Sequence, residues 1–353
     1  MSTIAATAVG FPRNYYRQEE LLSLVSRLWS GGGVDQGLLE RFHRNVQVKG
    51  RHLALPLEAY AALDGFQTRN EAWTRAALEL GERVVCALLE RAGMLPREIS
   101  HLLFTTVTGI AVPSIDARLM NRISFPAGLK RTPLFGLGCA GGAAGIARTA
   151  DYLKGHPQEA AVMLSIELCS LTMQLDDHSV ENLIATGLFG DGAAAVLLVG
   201  AEHPLAGGEG PSVLDSQSVF FPSTEHIMGW DVRDSGFKIL LSPDVSEVAQ
   251  EHLRPAVEAF LRRHGLGLED IGCWVAHPGG PKVMEGLEAG LGLDGEALQV
   301  SRDSLSRVGN LSSASVLMVL DETLEGRRPD PGTYGLLLAM GPAFCAELVL
   351  LKW

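Results

Sequence analysis

One cysteine, Cys139, lies in a run of small residues (134–145) between an apolar segment and a helix-like segment, 146–154. The pattern predicts a buried strand, a glycine-rich turn and a buried helix. At a helix N-terminus, the partial positive charge of the N–H groups stabilises a thiolate and lowers its pKa. The same N–H groups can hold an oxyanion. The structural alternative is a small apolar cysteine that packs where strand meets helix.

Two further polar residues stand where elements of structure begin or end. His277 closes an apolar run, 271–277, and Pro-Gly-Gly follows it, so we expect a rigidly held imidazole. A hydrogen-bonded core histidine is the alternative. Asn310 precedes a helix-like segment of small residues, where an N-cap is the simpler explanation.

Taken together, a cysteine, a histidine and an asparagine have a mechanistic logic. A thiolate attacks a thioester and holds the acyl group covalently. A neutral imidazole and an amide both donate hydrogen bonds, so they can stabilise an enolate or a tetrahedral oxyanion. Decarboxylation of a malonyl group generates such an enolate. The sequence alone does not bring the three residues together in space.

The elements that must position these residues alternate along the whole chain. Apolar strands at 2–9, 101–108, 160–167, 271–277, 334–340 and 346–351 alternate with helices, the longest over 70–93 with Thr68 or Asn70 as its cap. This order favours stacked α and β layers with internal sheets. Residues 31–33, three glycines, predict a break, and the Gly- and Pro-rich segment 200–210 predicts a boundary between halves 1–205 and 206–353.

Composition limits the classes of function. The chain has 353 residues, 46% of them hydrophobic, and a formal net charge of −12, which argues against nucleic acid as a partner. Its five cysteines form no CxxC pair, so we expect no disulfide framework, no metal site and a reducing, cytoplasmic compartment. No apolar run is long enough for a membrane span, and the first ten residues lack the pattern of a signal peptide.

Several motifs resemble those of chalcone synthase-like type III polyketide synthases. They are Gly-Cys-Ala-Gly-Gly at 138–142, Leu-Phe-Gly-Asp-Gly-Ala-Ala at 188–194, His-Pro-Gly-Gly-Pro at 277–281, Gly-Asn-Leu-Ser-Ser-Ala-Ser at 309–315 and Met-Gly-Pro at 340–342. Their order and spacing fit over essentially the whole chain. The resemblance implies a thiolase-like αβαβα fold of five layers, made of two related halves, in a homodimer.

The resemblance also implies roles for individual residues. Cys139 becomes the acyl-carrying nucleophile, and His277 and Asn310 serve decarboxylation and oxyanion stabilisation. Phe189 resembles the gatekeeper between the coenzyme A tunnel and the cavity. The family's second gatekeeping phenylalanine falls near Phe237 or Ile239.

Coenzyme A contacts follow from the same resemblance. Arg41 and Arg44 belong to a local basic cluster and resemble the residues that hold the phosphates, with Lys49 or Arg51 as a third position. Without the resemblance, such a basic cluster is also typical of a solvent-exposed helix face. We also expect contacts from Gly279 and Gly280. Acyl-CoA and malonyl-CoA are then substrates, no separate cofactor is required, and an acyl carrier protein is a further candidate partner.

Residues that line the cavity should decide the product. Cys169, Thr172 and Ser312 fall where the family varies its cavity. Segments 221–231 and 340–347 resemble bacterial members that make alkylpyrones and alkylresorcinols, which predicts a fatty acyl-CoA starter extended with malonyl-CoA. A synthase that uses malonyl-CoA alone and forms a tetrahydroxynaphthalene-type product is the alternative within the family.

Three other classes fit less well. In an initiating β-ketoacyl-acyl carrier protein synthase the histidine is followed by Gln-Ala-Asn, whereas Pro278, Gly279 and Gly280 follow His277 here. A hydroxymethylglutaryl-CoA synthase-like enzyme would need a glutamate as acid and base, and no segment recommends one. An inactive thiolase-fold protein that binds acyl groups is the non-enzymatic alternative, and the presence of all three residue types argues against it.

Overall fold

The computed structural model describes residues 1–29 and 34–353, so the predicted break at 31–33 lies outside the described residues. The first part of the chain contains seven strands within these ranges. They are β1 (Ser2–Gly10), β2 (Asn14–Arg17), β3 (Gly50–Leu53), β4 (Ile99–Thr106), β5 (Lys130–Phe135), β6 (Ala160–Leu168) and β7 (Asp191–Val199). The helices there are α1 (Gln18–Leu28), α2 (Gln36–Asn45), α3 (Gly65–Ala92), α4 (Ile115–Leu119), α5 (Gly141–Gly155) and α6 (Val180–Leu188).

The second part repeats much of this order in the described residues. Its strands are β8 (Ser212–Phe220), β9 (Met228–Arg233), β10 (Gly236–Leu241), β11 (Ile271–Ala276), β12 (Tyr334–Gly341) and β13 (Cys345–Lys352). Its helices are α7 (Val245–Arg262), α8 (Pro281–Leu291), α9 (Gln299–Val308) and α10 (Ser313–Gly326).

Nine strands form one mixed sheet in the order β11-β12-β13-β8-β1-β7-β6-β4-β5. β4 is parallel to β6, and β6, β7 and β1 follow as antiparallel neighbours. β11, β12, β13 and β8 show the same sequence of one parallel and two antiparallel pairings. Among the described residues, the two sets are joined in the sheet by a two-residue pairing of β1 with β8. The topology therefore shows a duplication that the sequence only suggests.

Three apolar clusters define the layers. One cluster packs α3 against one face of the first set of strands, and a second packs α7 and α8 against the outer face of the second set. The third lies between the two sets and is built on α5 and α10. Because helices cover both faces, β6 is buried along its whole length. This order of layers confirms the predicted αβαβα fold with two related halves.

The long helix begins earlier than the sequence predicts. α3 starts at Gly65 after Asp64 in the N-cap position, so Thr68 and Asn70 lie inside the helix and the prediction that either caps it is wrong. Asn70 instead uses its amide on the loop after β4, where Nδ2 donates to the carbonyl of Ile110 at 2.7 Å. Asparagine is typical of N-cap positions, but here its side chain forms tertiary hydrogen bonds and caps no helix.

Candidate active site

Cys139 lies between a strand of the sheet edge and a central helix. β5 ends at Phe135, residues Gly138–Ala140 form a 3-10 turn, and α5 begins at Gly141. Gly138 has a φ of 50°, and a Cβ on it would lie 2.5 Å from Pro342, so only glycine fits the turn. The predicted strand, turn and buried helix around the cysteine are confirmed, but β5 is a largely exposed edge strand and not the buried strand predicted.

His277 follows directly on β11 and is buried. Its backbone N–H donates to the carbonyl of Leu338 at 2.9 Å, which continues the pairing with β12 for one residue. Within the described residues neither ring nitrogen has a hydrogen-bond partner, and burial lowers the pKa of His277 to about 3. The imidazole is therefore neutral at physiological pH, with its N–H available to a ligand. This argues against a hydrogen-bonded core histidine.

Asn310 stands in the short connection between α9 and α10. Its Nδ2 donates to the carbonyl of Gly279 at 3.0 Å, and its Oδ1 accepts from the N–H of Ser312 at 2.8 Å. Ser312, not Asn310, occupies the N-cap position of α10, so the N-cap explanation is wrong. An amide nitrogen carries two hydrogens, and the second N–H of Asn310 remains available to a ligand.

The environment of the thiol differs from the sequence-based prediction. The Sγ of Cys139 lies 3.7 Å from the Oγ of Ser312, and because this hydroxyl can donate to a thiolate, the contact lowers the thiol pKa. Burial acts more strongly and raises the pKa of Cys139 to about 12. The prediction of a lowered pKa in the free protein is therefore wrong, because burial of Cys139, which is 7% exposed, disfavours the charged thiolate.

Glu167 is a buried carboxyl group near the thiol that the sequence reasoning did not single out. Its Oε2 accepts from the N–H of Val107 at 3.1 Å and from the hydroxyl of Thr108 at 2.9 Å, and Ser313 donates to Oε1. Burial raises the pKa of Glu167 to about 7 although these hydrogen bonds oppose the shift, and its charge raises the pKa of Cys139 further. The only signal in the sequence was a charged residue at the end of an otherwise apolar strand.

The three candidate catalytic residues share one cavity of about 410 Å³, called the main cavity here. Among the residues expected from the sequence, those in its wall are Cys139, Cys169, Phe189, Ile239, His277, Gly279, Gly280, Asn310 and Ser312. The wall is mostly apolar, which is typical of a small-molecule site with a few oriented polar groups. The fold thus brings residues from both halves to one point.

A second, smaller space of about 60 Å³, the side pocket, adjoins the main cavity. Cys169, Phe189, Trp230 and Ile239 line both spaces. Thr172 and Phe237 line the side pocket, and neither lines the main cavity. Of the two candidates for the second gate position, Ile239 therefore lies at the boundary beside Phe189. Trp230 at this boundary is a residue that the sequence reasoning missed.

The opening of the main cavity is lined by Phe42 and Asn45 of α2 and by Lys282 at the start of α8. Arg41 and Arg44 are exposed on the same helix as Phe42. Lys282 is also exposed, and it adds a cation to this opening that the sequence reasoning did not consider.

Of the two candidates for a third basic position, Arg51 is only 2% exposed. It lines the side pocket instead of the opening, so it does not fit a phosphate receptor. Lys49 is exposed and remains a candidate.

In the part of the chain that the structure describes, no three His, Cys, Asp or Glu side chains are grouped so that they could hold a metal ion. No described helix has both the length and the apolar character needed to cross a membrane.

A thiol, a neutral imidazole and an amide with a free N–H face one apolar cavity. This set can hold an acyl group on sulfur and stabilise an oxyanion beside it. In a duplicated five-layered α/β fold, it defines the class of acyl-transferring condensing enzymes.

Comparisons with known proteins specify the family. The model of the N-terminal domain of chalcone and stilbene synthases matches residues 4–203, and that of their C-terminal domain matches residues 213–353. A 1,3,6,8-tetrahydroxynaphthalene synthase from Streptomyces peucetius subsp. caesius is 47% identical over 352 residues, which cover 100% of this chain and 93% of the relative. A putative chalcone synthase from Bacillus subtilis is 35% identical and is covered to 99%, with 100% of this chain.

A solved structure gives the same result. The 1,3,6,8-tetrahydroxynaphthalene synthase of Streptomyces coelicolor A3(2), a bacterial type III polyketide synthase, superposes with a TM-score of 0.93 at 32% identity over 99% of both chains. The chain belongs to the chalcone and stilbene synthase family and is a type III polyketide synthase. It is an acyltransferase of the decarboxylative condensing type, so the non-enzymatic alternative and the carrier-protein synthase are set aside.

Proposed function

We propose that the protein condenses malonyl-CoA units on Cys139, with malonyl-CoA as the source of both starter and extender, to a tetrahydroxynaphthalene-type product. The observation that carries the proposal is the meeting of Cys139, His277 and Asn310 in one cavity of about 410 Å³. The choice of starter is supported by the relatives named 1,3,6,8-tetrahydroxynaphthalene synthase, at 47% and 32% identity over the whole chain.

In the first step the sulfur of Cys139 attacks the thioester carbonyl of the starter, and the C–S bond to coenzyme A breaks. Because burial keeps Cys139 protonated in the free protein, the thiol must lose its proton as the attack proceeds. His277 is a neutral imidazole in the same cavity and accepts this proton, because the thiolate that forms offsets the burial that lowers the pKa of His277 in the free protein. The leaving sulfur of coenzyme A then takes the proton from the imidazolium.

In the second step malonyl-CoA loses its carboxylate as CO₂, and the electron pair of the broken C–C bond forms an enolate. The N–H of neutral His277 and the free N–H of Asn310 donate to the enolate oxygen. The enolate carbon attacks the acyl-Cys139 thioester, which lengthens the chain by two carbons and releases the sulfur. Repetition of these steps builds the polyketide.

The opening of the main cavity fits the proposed substrates. Coenzyme A carries phosphates, and Arg41, Arg44 and Lys282 place three exposed cations at or beside the opening of a protein with net charge −12. Cationic side chains attract phosphates through charge-assisted hydrogen bonds. Gly279 and Gly280 line the same cavity without side chains that would obstruct a pantetheine arm.

A second candidate is the fatty acyl-CoA starter that the sequence favours. Its support is the side pocket, whose apolar wall includes Leu21, Leu24, Val25, Leu53 and Met173 and which shares Phe189 and Ile239 with the main cavity. The side pocket has a volume of only about 60 Å³, which is too small for a long acyl chain. For this reason the short starter is the first candidate.

The expected homodimer also belongs to the proposal. Its support is an exposed apolar patch at the open edge of the sheet, where Ile110, Val112 and Phe135 are 42%, 91% and 53% exposed. β5 is the edge strand there and its backbone groups are free to pair or pack. Light scattering coupled to size exclusion measures the mass, and a monomer at micromolar concentration would contradict the dimer.

The test of the function is product analysis by mass spectrometry after incubation with malonyl-CoA alone and with acyl-CoA starters from short to long. A pentaketide from malonyl-CoA alone supports the first candidate. Products that form only with fatty starters support the second, and their masses count the extensions. Delivery of the same acyl group on an acyl carrier protein tests that partner. The Cys139→Ala variant is the control, and no product in any arm would overturn the proposed function.

A further inference from the structure

Arg51 carries a charged group in the interior of the protein. Its guanidinium is 2% exposed, with Nη1 donating to the carbonyl of Phe189 at 2.8 Å and Nη2 donating to Oε1 of Gln18 at 3.1 Å. Gln18 in turn donates from Nε2 to the carbonyl of Gly187 at 2.9 Å. A buried charge is costly, so an arginine that is used only to hold backbone needs an explanation.

The backbone that Arg51 holds is joined to the backbone of Asn310. The N–H of Asn310 donates to the carbonyl of Leu188 at 2.9 Å, and the N–H of Gly190 donates to the carbonyl of Asn310 at 3.0 Å. Phe189 and Asn310 thus face each other in an isolated parallel bridge. Any displacement of segment 188–190 therefore moves Asn310 as well.

Arg51 also contacts the second backbone segment of the bridge, the one that contains Asn310. A Cβ on Gly309 would lie 3.0 Å from Cδ and 3.1 Å from Cγ of Arg51, so the aliphatic part of the arginine packs directly on Gly309. Gly309 has a φ of 76°, which only glycine adopts without strain. The arginine consequently contacts both backbone segments of the bridge, one by hydrogen bond and one by packing.

The guanidinium remains charged in this position. Burial lowers the pKa of Arg51 to about 10, and the nearby carboxylate of Asp191 favours the charged form. Asp191 is fixed by the N–H of Ala54 at 2.6 Å and the N–H of Ser170 at 2.7 Å. A lysine has one nitrogen and could not reach both Phe189 and Gln18 in the planar geometry that arginine offers.

We propose that Arg51 is a positioning residue that fixes the ring of Phe189 and the amide of Asn310 as one unit. The inference rests on the proposed roles of those two residues in gating and enolate stabilisation. Phe189 separates the main cavity from the side pocket, and Asn310 aims its free N–H into the main cavity. Because Arg51 holds both residues, a displacement of this arginine would change the space open to the growing chain together with the rate of decarboxylation.

The test compares Arg51→Gln and Arg51→Lys with the unmodified enzyme. Three quantities are measured: acylation of Cys139 by intact mass, decarboxylation of malonyl-CoA in the Cys139→Ala background, and the distribution of product lengths. We expect acylation to stay within about twofold and decarboxylation to fall about tenfold or more in Arg51→Gln, because small misplacements of a catalytic group cost this much or more. Product lengths should shift in the same variant.

Arg69 provides a matched control. It is a second buried arginine, 7% exposed, whose Nη2 donates to the carbonyl of Leu63, and it lines neither cavity. Arg69→Gln should lower the melting temperature without separating decarboxylation from acylation and without a change of products. If Arg51→Gln does not fold, Arg51→Lys keeps the packing on Gly309 and should show the same separation to a smaller degree.

Two results overturn the inference. In the first, Asn310→Ala abolishes decarboxylation while both Arg51 variants keep it together with the original product lengths. In the second, the Arg51 variants lose acylation, decarboxylation and stability in proportion, as Arg69→Gln does. If Asn310→Ala itself decarboxylates at the full rate, the proposed role of Asn310 fails first, and this inference fails with it.

Discussion

The thiol of Cys139 donates a hydrogen bond to the hydroxyl of Ser312, with 3.7 Å between sulfur and oxygen. Cys139 precedes α5 of the first half and Ser312 precedes α10 of the second, so the contact crosses the central layer of the fold. Ser312 has a φ of 49°, a conformation that costs a non-glycine residue about 1–3 kcal/mol. This strained conformation of Ser312 lies at its contact with the nucleophile.

The reactivity of Cys139 towards iodoacetamide should depend steeply on pH. Because burial raises the pKa of the thiol to about 12, the thiolate fraction, and with it the rate, should rise about tenfold per unit between pH 7 and 10. Ser312→Ala should react more slowly, since the hydrogen bond lowers the pKa. Peptide mass spectrometry measures the rate at position 139, with the denatured protein as the reference. A rate that levels off near pH 8 would contradict the raised pKa and support the lowered thiol pKa predicted from the sequence.

Cys139→Ala should abolish condensation and leave decarboxylation of malonyl-CoA detectable. The variant lacks the sulfur that holds the acyl group, whereas the donors of His277 and Asn310 remain in the cavity. Release of acetyl-CoA, followed by liquid chromatography, reports decarboxylation, and polyketide formation is followed in the same samples. Full polyketide formation by this variant would refute the assignment of the nucleophile.

His277→Ala and Asn310→Ala should each slow decarboxylation by about 10²–10³, the usual effect of one lost oxyanion donor. Asn70→Ala is the matched control, because the Asn70 amide also holds backbone with both its oxygen and its nitrogen, on Ile110, yet it lines neither cavity. Asn70→Ala should affect stability alone. Normal decarboxylation by Asn310→Ala, with a loss of stability only, would show that its amide is purely structural.

Replacing Arg41, Arg44 and Lys282 by Ala should raise the KM for malonyl-CoA and weaken its dependence on salt. The three cations are exposed near the opening of the cavity, and screening of their charge reduces attraction to phosphate. Initial rates at several ionic strengths measure the effect. Arg97→Ala removes an exposed arginine elsewhere and should leave KM unchanged. Equal KM values in all variants would identify the cluster as a solvated surface.

His43 should make the protein less stable in acid. Burial, and next the charge of Arg51, lower its folded-state pKa from 6.5 to about 3. Below pH 6.5 the unfolded chain therefore binds a proton that the folded chain does not, and unfolding becomes easier by about 1.4 kcal/mol per pH unit. The difference in free energy of unfolding between the protein and His43→Gln should fall at that rate between pH 6 and 4.5. A constant difference would contradict the depressed pKa.

The sequence was sufficient for the elements around Cys139, for the layered fold and for the family. Apolar strands and glycine-rich turns indicated the elements and the α/β layers, whereas the five-layered fold and the family came from the resemblance of the motifs. The N-cap assignment of Asn310 was wrong. Its amide oxygen accepts a hydrogen bond from the N–H of Ser312, and its amide nitrogen donates to the carbonyl of Gly279 in the turn after β11. Gly279 lies 31 residues from Asn310 in the sequence, so this partner is visible only in the folded chain.

The environment of the site also could not be predicted from the sequence. The raised pKa of Cys139 depends on how completely neighbouring elements exclude water, and the burial of Arg51 depends on the packing of β3 against segment 188–190. Both are tertiary quantities. The boundary of the two cavities is formed in part by Trp230 and Ile239 of the β9–β10 hairpin; the sequence offered Phe237 or Ile239 as the second gate, and only the structure shows which of them lies there.

The division of the site between the two halves has a consequence for synthesis of the chain. Cys139 leaves the ribosome about 170 residues before Asn310, so the thiol is made long before α10 can cover it. Until α10 is made, the thiol lacks the cover that this helix and Ser312 provide, and it is more open to oxidation and alkylation. Docking of α10 against α5 then both assembles the catalytic set and withdraws its sulfur from water. Completion of the chain is thus a protective event for the residue on which every turnover depends.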